Sequence, residues 1–146
     1  KKNHMKVRVI GDKTGLAQDI QDSIAKLEEE SKDQDGLNFT IAINYGSRDE
    51  IRRAVTKIVE EGIRPDDITE ETISDHLDTA GIPDPDLLIR TSGELRLSNY
   101  LMWQLAYTEF YFTDVPWPAF TKEELIKAIE EYNHRHRRFG GVEEGK

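Results

Sequence analysis

A short segment in the second half of the chain combines two arginines with several hydroxyl side chains. Its members within nine residues are Arg90, Thr91, Ser92, Gly93, Arg96 and Ser98. Guanidinium groups bind phosphate oxygens through paired hydrogen bonds, and hydroxyls add neutral donors. A glycine at this place lets backbone N–H groups approach a ligand closely. The segment indicates a site for an anionic ligand, although two surface arginines in a polar loop explain the composition more simply.

A second group of cations lies near the end of the chain and comprises His134, Arg135, His136, Arg137 and Arg138. Cations at a helix C-terminus are favourable to the helix dipole, and this explains their charge without any function. A nucleic-acid patch is the alternative, but five residues without a wider basic face support it weakly. The two histidines are two positions apart and do not share a helix face, so a zinc site is not expected.

Glu109 is the third residue that could do chemistry, because it lies among aromatic residues in the segment 107–112. A carboxylate beside apolar surface is costly unless it is paired or binds a metal. Magnesium is commonly held by one or two carboxylates together with substrate phosphates. A strand-edge glutamate facing water is the simpler alternative. The surrounding aromatic residues, Trp103, Tyr107, Phe110, Phe112 and Trp117, are expected in the core.

The elements that must position these residues alternate between strands and helices. Strands are predicted over 7–10, 38–44, 87–89 and 110–112, the third from a continuous apolar run that is typical of a parallel strand buried on both faces. Helices are predicted from apolar spacing after Leu16, after capping boxes at Ser47 and Thr121, near Thr69, and over 99–106. The last helix is expected to end at Gly140-Gly141, and residues 28–36 to form a loop. The pattern predicts an α/β fold, with a mostly parallel sheet flanked by helices.

Composition narrows the class of protein. Twenty Lys and Arg residues against 29 Asp and Glu residues give a net charge of −9, which argues against a general nucleic-acid binder. The absence of cysteine excludes disulfides and Cys-based metal sites. No apolar run is long enough to cross a bilayer, and no P-loop or Gly-x-Gly-x-x-Gly pattern occurs. A cytoplasmic protein is expected.

Beyond these separate patterns, the run from Asp86 to Phe112, which begins Asp-Leu-Leu-Ile-Arg-Thr-Ser-Gly-Glu-Leu-Arg, resembles the C-terminal signature of the cis-prenyltransferases. Within that family it is most similar to the bacterial enzymes that make undecaprenyl diphosphate. The segment Asn44-Tyr45-Gly46-Ser47-Arg48 is similar to the family's Asn-Tyr-Gly-Gly-Arg motif, with Ser47 in place of the second glycine. The segment 137–141 is similar to its C-terminal Arg-x-Gly element. The three motifs stand in the family's order.

The resemblance implies an enzyme that adds isopentenyl diphosphate to an allylic diphosphate such as farnesyl diphosphate, with cis double bonds. The product would be undecaprenyl diphosphate for the cell-wall lipid carrier, and the cofactor Mg²⁺. The resemblance assigns isopentenyl diphosphate to Arg90, Arg96 and Ser98, and a magnesium ligand to Glu109. Arg138 and Gly140 would reach the site across a homodimer interface. No nucleic-acid partner is implied, and the lipid product would allow peripheral contact with the inner face of the membrane.

One family feature has no counterpart here. The 146 residues do not contain the family's His-x-x-x-x-Met-Asp-Gly-Asn-x-Arg-Trp-Ala loop. In the family, the aspartate of that loop binds magnesium and its arginine binds the allylic diphosphate. The expectation is therefore the C-terminal portion of one cis-prenyltransferase domain, 1–146, with a frayed tail at 142–146, and inactive alone. Two alternatives remain: a non-catalytic partner subunit of such an enzyme, and a generic anion- or RNA-binding α/β module.

Overall fold

The computed structural model describes residues 4–135, which form two compact units, one ending at Ile82 and the other beginning at Pro83. The first unit contains β1 (Lys6–Ile10), α1 (Gln18–Ser31), β2 (Asn38–Ala42), α2 (Ser47–Glu60) and α3 (Glu70–His76). The second contains β3 (Leu87–Arg90), β4 (Glu109–Phe112) and α4 (Lys122–His134). No helix in the described part of the chain is both long and apolar enough to cross a bilayer.

Each unit is built on a pair of parallel strands. In the first unit β1 pairs with β2 in the register Lys6↔Asn38 to Ile10↔Ala42. In the second unit β3 pairs with β4 in the register Leu87↔Glu109 to Arg90↔Phe112. The apolar side chains buried in the described residues are Val9, Ile10, Ile24, Ala54, Ile58, Leu77, Leu105 and Ala128. The predicted α/β class with parallel strands is confirmed.

Side chains from the last turn of α1 cover the outer edge of β1. These contacts hold the helix beyond Leu27, where its apolar spacing ends. Glu28 Oε1 accepts the Val9 N–H at 2.7 Å, and Ser31 Oγ accepts the Val7 N–H at 3.0 Å. The prediction of a loop from residue 28 is therefore wrong, because the helix continues to Ser31. An edge strand whose N–H groups are already bonded is protected against pairing with another chain.

Helix starts match the sequence patterns only in part. The capping box predicted at Ser47 is wrong, because Gly46 is the N-cap and Ser47 is the first helical residue. Thr121 is the N-cap of α4, yet its side chain makes no capping hydrogen bond. Thr69 caps α3 as expected, and its partner in a reciprocal capping box is Thr72. Polar side chains near a helix start thus predict where the helix begins better than they predict which capping hydrogen bonds form.

Two helical predictions fail for a backbone reason. Residues 99–106 form turns rather than a helix, because Asn99 and Leu101 adopt φ of +64° and +44°. α4 ends at His134, since Arg135 is extended. The expected end at Gly140-Gly141 and the tail lie outside the described residues.

The aromatic and strand burial also differs from expectation. Tyr107 and Trp117 were expected in the core, but they are 77% and 71% exposed. All four residues of β3 are partly exposed rather than buried on both faces. The reason is that β4 is the only strand pairing with β3 among residues 4–135.

Gly11 ends β1 in a conformation that only glycine adopts readily. Its φ is +115°, and a Cβ there would lie 2.0 Å from the Ile43 carbonyl oxygen. We expect Gly11→Ala to lower the free energy of unfolding by roughly 3 kcal/mol or more, from left-handed strain plus backbone overlap. Equilibrium urea unfolding measures this loss.

Gly62 supplies the matched control for Gly11. It has φ +69° at the C-terminus of α2, but a Cβ there meets nothing within 4 Å. Gly62→Ala should therefore cost only the strain, about 1–2 kcal/mol. Equal losses for the two variants would show that the Gly11 turn relaxes without cost.

Candidate functional site

Arg90 is the last residue of β3, and its side chain is the most available cation of the segment 90–98. Its carbonyl oxygen accepts the Thr113 N–H at 3.0 Å, which fixes the end of the strand. Its guanidinium makes no hydrogen bond or ion pair with any residue of the described 4–135. In open α/β sheets, ligands bind beyond the carboxyl ends of the strands. Arg90 thus places an uncommitted, half-buried cation where a ligand is expected.

The turn after Arg90 is fixed to the segment that follows β4. Ser92 and Gly93 adopt φ of +65° and +68°, and their N–H groups donate to Val115 and Thr113 carbonyl oxygens, both at 3.0 Å. These N–H groups are therefore already bonded, and the expectation that Gly93 offers them to a ligand is wrong. Gly93 instead suits the shape of the turn, because its φ of +68° lies in the left-handed region that favours glycine. A Cβ there would also lie 3.0 Å from Asp114 Oδ1, the end of a side chain that can shift.

Arg96 and Ser98 lie on the exposed part of the same segment. Arg96 forms an ion pair with Glu94, and the two side chains are 64% and 39% exposed. An exposed pair of this kind contributes little to stability, so a phosphate can displace Glu94 at small cost. Ser98 is exposed and adopts φ +50°. Arg90, Arg96 and Ser98 all follow the same strand end, as the sequence predicts.

Glu109 lies at the opposite end of the strand pair from Arg90. It is opposite Leu87, whereas Arg90 is opposite Phe112, so the two are separated by three positions, about 10 Å along the strands. Glu109 Oε2 accepts from Arg135 Nη1 at 2.9 Å, and the same nitrogen donates to the Phe110 carbonyl at 2.8 Å. The Glu109 carboxylate is therefore paired with a cation, which is one of the two ways, pairing or metal binding, in which a carboxylate beside apolar side chains is stabilised.

No group of three or more acidic or histidine side chains suited to a metal ion occurs in the described residues. Glu109 fits magnesium only as a single carboxylate, alongside substrate phosphates. Its role as a magnesium ligand stays a prediction. Arg135 also bonds to Glu131, so it is committed to this chain's own carboxylates rather than to an outward basic patch. Arg138 and Gly140 lie outside the described residues.

The first unit has its own turns at the carboxyl edge, and they are bonded to each other. The Asn44 Nδ2 donates to the Asp12 carbonyl at 2.9 Å, and the Asp12 N–H donates to the Asn44 carbonyl at 3.0 Å. Asn44 has φ +47° and an exposed side chain. The first residue of the Asn-Tyr-Gly-Ser-Arg segment therefore lies directly beside the turn that follows β1.

Behind these turns lies a buried network that the sequence patterns did not reveal. Glu50, 1% exposed, accepts the Tyr45 hydroxyl at 2.6 Å and the Asp78 N–H at 2.9 Å. The Asp78 carboxylate in turn accepts hydrogen bonds from Arg53, from Nη1 to Oδ1 at 2.6 Å and from Nη2 to Oδ2 at 2.7 Å. Its Oδ2 also accepts the Gly11 N–H at 3.0 Å. In the sequence, only the three-residue spacing of Glu50 and Arg53, which places both on one face of a helix, indicated this network.

The charge state of Asp78 follows from these contacts. Burial alone would raise the pKa of Asp78, but the hydrogen bonds and charge of Arg53, with the Gly11 N–H, outweigh it and hold the pKa below its ordinary value. The same pairing raises the pKa of Arg53. Both groups are therefore charged at neutral pH.

The parallel strands and the cationic segment after β3 define an α/β protein suited to an anionic ligand, and comparison with known proteins gives the family. A family model described as "Putative undecaprenyl diphosphate synthase" matches residues 1–140. The isoprenyl transferase of Bacillus anthracis is 52% identical over 143 residues, which cover 95% of this chain and 55% of that protein. That of Aquifex aeolicus is 51% identical over 138 residues, covering 94% and 59%.

Solved structures agree. Lavandulyl diphosphate synthase from Lavandula x intermedia, in complex with dimethylallyl diphosphate, matches with a TM-score of 0.90 at 44% identity, over 96% of this chain and 62% of that one. A "probable undecaprenyl diphosphate synthase" from Campylobacter jejuni matches with a TM-score of 0.86 at 38% identity, over 95% and 64%. The chain belongs to the undecaprenyl diphosphate synthase family of prenyltransferases. It spans 55% of the length of the Bacillus anthracis protein and 59% of that of the Aquifex aeolicus protein.

Proposed function

We propose that this chain supplies the isopentenyl diphosphate side of a prenyltransferase that lengthens an allylic diphosphate, such as farnesyl diphosphate, with cis double bonds. The observation that carries the proposal is the Arg90 guanidinium, which is uncommitted among the described residues at the carboxyl end of β3. Diphosphate is the anion that two neighbouring guanidinium groups and a hydroxyl suit best. Undecaprenyl diphosphate is the proposed product, supported by the family match.

The residues of the segment 90–98 hold and orient the substrate in this proposal. Arg90 binds diphosphate oxygens in a fork geometry, Arg96 exchanges Glu94 for phosphate, and the Ser98 hydroxyl adds a neutral donor. Fixing the diphosphate in this way places the isopentenyl double bond for attack on the allylic carbon, where positioning and charge stabilisation lower the barrier. The Gly93 turn keeps the segment in place, since its N–H is bonded to Thr113.

Magnesium is the proposed cofactor, and Glu109 the residue of this chain that would hold it. When bound, the ion neutralises diphosphate charge that develops on the leaving group. The Arg135 pair must open, or the second carboxylate oxygen must serve, because Oε2 is occupied by Arg135. Since Glu109 and Arg90 lie at opposite ends of the strand pair, a second subunit is proposed to bring Glu109, Arg138 and Gly140 to a neighbouring site.

The proposal also concerns the assembled protein. For the assembled protein we propose a homodimer in the cytoplasm, whose lipid product allows peripheral contact with the inner face of the membrane, as the family resemblance implies. A generic RNA-binding module is less well supported, because Arg135 of the basic group is bonded to Glu109 and Glu131. A non-catalytic partner subunit has less need of the uncommitted Arg90.

The test uses a joined enzyme, in which the N-terminal portion of the Bacillus anthracis isoprenyl transferase precedes this chain in place of its own equivalent. We expect the joined enzyme, given farnesyl diphosphate, radiolabelled isopentenyl diphosphate and Mg²⁺, to form long polyprenyl diphosphates. Thin-layer chromatography of the extracted lipids measures them. A folded joined enzyme that forms no polyprenyl product would contradict the proposed function and favour the partner-subunit alternative.

A further inference from the structure

The hydrogen bonds behind the carboxyl edge of the first unit form a closed ring. From Asp78 the ring runs through its carboxylate to Gly11, along the chain to Asp12, and across the paired carbonyl and amide bonds to Asn44. From Tyr45 it returns through the hydroxyl to Glu50 and on to the Asp78 N–H. The ring therefore joins the turns after β1 and β2 to α2 and to the segment after α3.

Asp78 takes part in the ring twice, since its carboxylate accepts the Gly11 N–H and its own N–H donates to Glu50. Among residues 4–135 its carboxylate has one ion-pair partner, Arg53, and the Asp78 and Arg53 side chains are only 12% and 23% exposed. Replacing a buried ion pair by apolar residues of similar volume often leaves stability unchanged, so stability alone does not account for the pair. A carboxylate that also accepts the Gly11 N–H does what an apolar pair cannot, since it fixes a backbone turn.

We propose that Asp78, held in place by Arg53, is a positioning residue for chain elongation, acting through the Gly11 N–H on the turn at Asn44. This inference rests on the proposed function and adds a residue to it. Asn44 is the exposed end of the ring, held in the left-handed region at φ +47°. Asparagine adopts that region more readily than most residues do, and here its amide and its carbonyl oxygen are both bonded to Asp12, so these bonds set the position of the turn. Asp78 itself touches no substrate.

The test separates the acceptor that Asp78 offers Gly11 from the charge that it offers Arg53. In the joined enzyme, Asp78→Asn keeps an oxygen for Gly11 and loses the charge, whereas Asp78→Ala loses both. We expect kcat/KM to fall about 10- to 100-fold in Asp78→Ala, because the turns it would displace lie at the carboxyl ends of parallel strands, where ligands bind, and small displacements of a binding group have effects of that size. Asp78→Asn should stay within about 3-fold of the unaltered joined enzyme. Both variants leave Arg53 paired only with the more exposed Asp49, at 2.8 Å, and should therefore lower the Tm.

A charge swap gives the second comparison. Arg53→Asp combined with Asp78→Arg restores the ion pair but leaves the Gly11 N–H without an acceptor, because arginine only donates. The swap also removes the Arg53–Asp49 ion pair and brings a second carboxylate beside Asp49. We therefore expect the Tm to recover only in part, to a value above that of Asp78→Ala, and kcat/KM to stay at least 10-fold low. Arg52→Ala is the matched control, since Arg52 lies on the same helix and its partner is Asp49, which keeps its second bond to Arg53 when Arg52 is removed. It should leave both Tm and kcat/KM unchanged.

The outcomes are distinct. Equal losses of kcat/KM in Asp78→Asn and Asp78→Ala, or a swap that restores kcat/KM together with Tm, would overturn the inference and leave Asp78 as a stabilising residue only. Either result leaves the proposed function intact, because the unaltered joined enzyme is still active. Absence of product from the unaltered joined enzyme would overturn the proposed function, and the inference with it.

Discussion

Replacing Arg90 by alanine in the joined enzyme is expected to raise the KM for isopentenyl diphosphate about 10- to 150-fold. A charge-assisted hydrogen bond is worth roughly 1.5–3 kcal/mol, and each 1.4 kcal/mol is about a factor of ten. Because the Arg90 guanidinium has no hydrogen-bond or ion-pair partner among residues 4–135, its removal should leave the fold intact. The KM for farnesyl diphosphate should stay within about 3-fold, and steady-state kinetics with each substrate varied in turn measures both.

Arg96→Ala should act in the same direction through the same substrate. Its partner Glu94 is partly exposed, so loss of the ion pair should change stability little. Arg64→Ala is the control for both variants, because it removes an exposed arginine of the first unit. The Arg64 side chain is 75% exposed, and its Nη2 lies 3.7 Å from Asp66 Oδ2. Equal rises in the KM of both substrates would show that the segment 90–98 does not distinguish isopentenyl diphosphate from the allylic partner.

The second large effect concerns the chain by itself. Incubated with farnesyl diphosphate, isopentenyl diphosphate and Mg²⁺, the 146-residue chain is expected to form no polyprenyl product. The reasons are that its relatives are longer, with 55% of the Bacillus anthracis protein matched, and that no Met-Asp-Gly-Asn-x-Arg sequence occurs in the 146 residues. The arginine and aspartate of that loop are the family's expected ligands for the allylic diphosphate and magnesium.

The joined enzyme is the positive control for that experiment, assayed at equal concentration. Chain elongation by the 146 residues alone, at a rate comparable with the joined enzyme, would show that the residues described here suffice for both substrates. It would also refute the expectation that allylic diphosphate binding needs the family's Met-Asp-Gly-Asn loop, which the 146 residues lack.

Local patterns predicted the strands and the segment that follows β3. The run Leu87-Leu88-Ile89 identified a parallel strand, and parallel pairing with β4 is confirmed. The placement of Arg90 at the carboxyl end of that strand followed directly, because the strand's direction fixes which loop meets the ligand. These features depend on residues close together in sequence, and a pattern can therefore reveal them.

Other features depended on contacts between distant residues, which no pattern contains. The partner of Glu109 is Arg135, 26 residues away, and the register with Leu87 places this carboxylate away from Arg90. Glu50 looked like the end of a capping box, but Asp78, 28 residues further on, draws it into the buried network. The turns at 99–106 have helical composition, yet left-handed backbone at Asn99 and Leu101 prevents a helix.

The net charge of −9 does not apply evenly along the chain. It describes the chain as a whole, whereas Arg90 and Arg96 make the segment after β3 locally cationic. Several other basic side chains of the described residues are paired with carboxylates of the same chain, as Arg53 and Arg135 are. An acidic protein can therefore bind an anion wherever a guanidinium is left without such a partner.

The most direct test of the account is the affinity of the segment 90–98 for isopentenyl diphosphate without turnover. Calorimetric titration of this diphosphate into the joined enzyme, with Mg²⁺ and no allylic substrate, gives the Kd. We expect a Kd at least 10-fold weaker for Arg90→Ala and unchanged for Arg64→Ala. The same Kd for Arg90→Ala and the unaltered joined enzyme would contradict it.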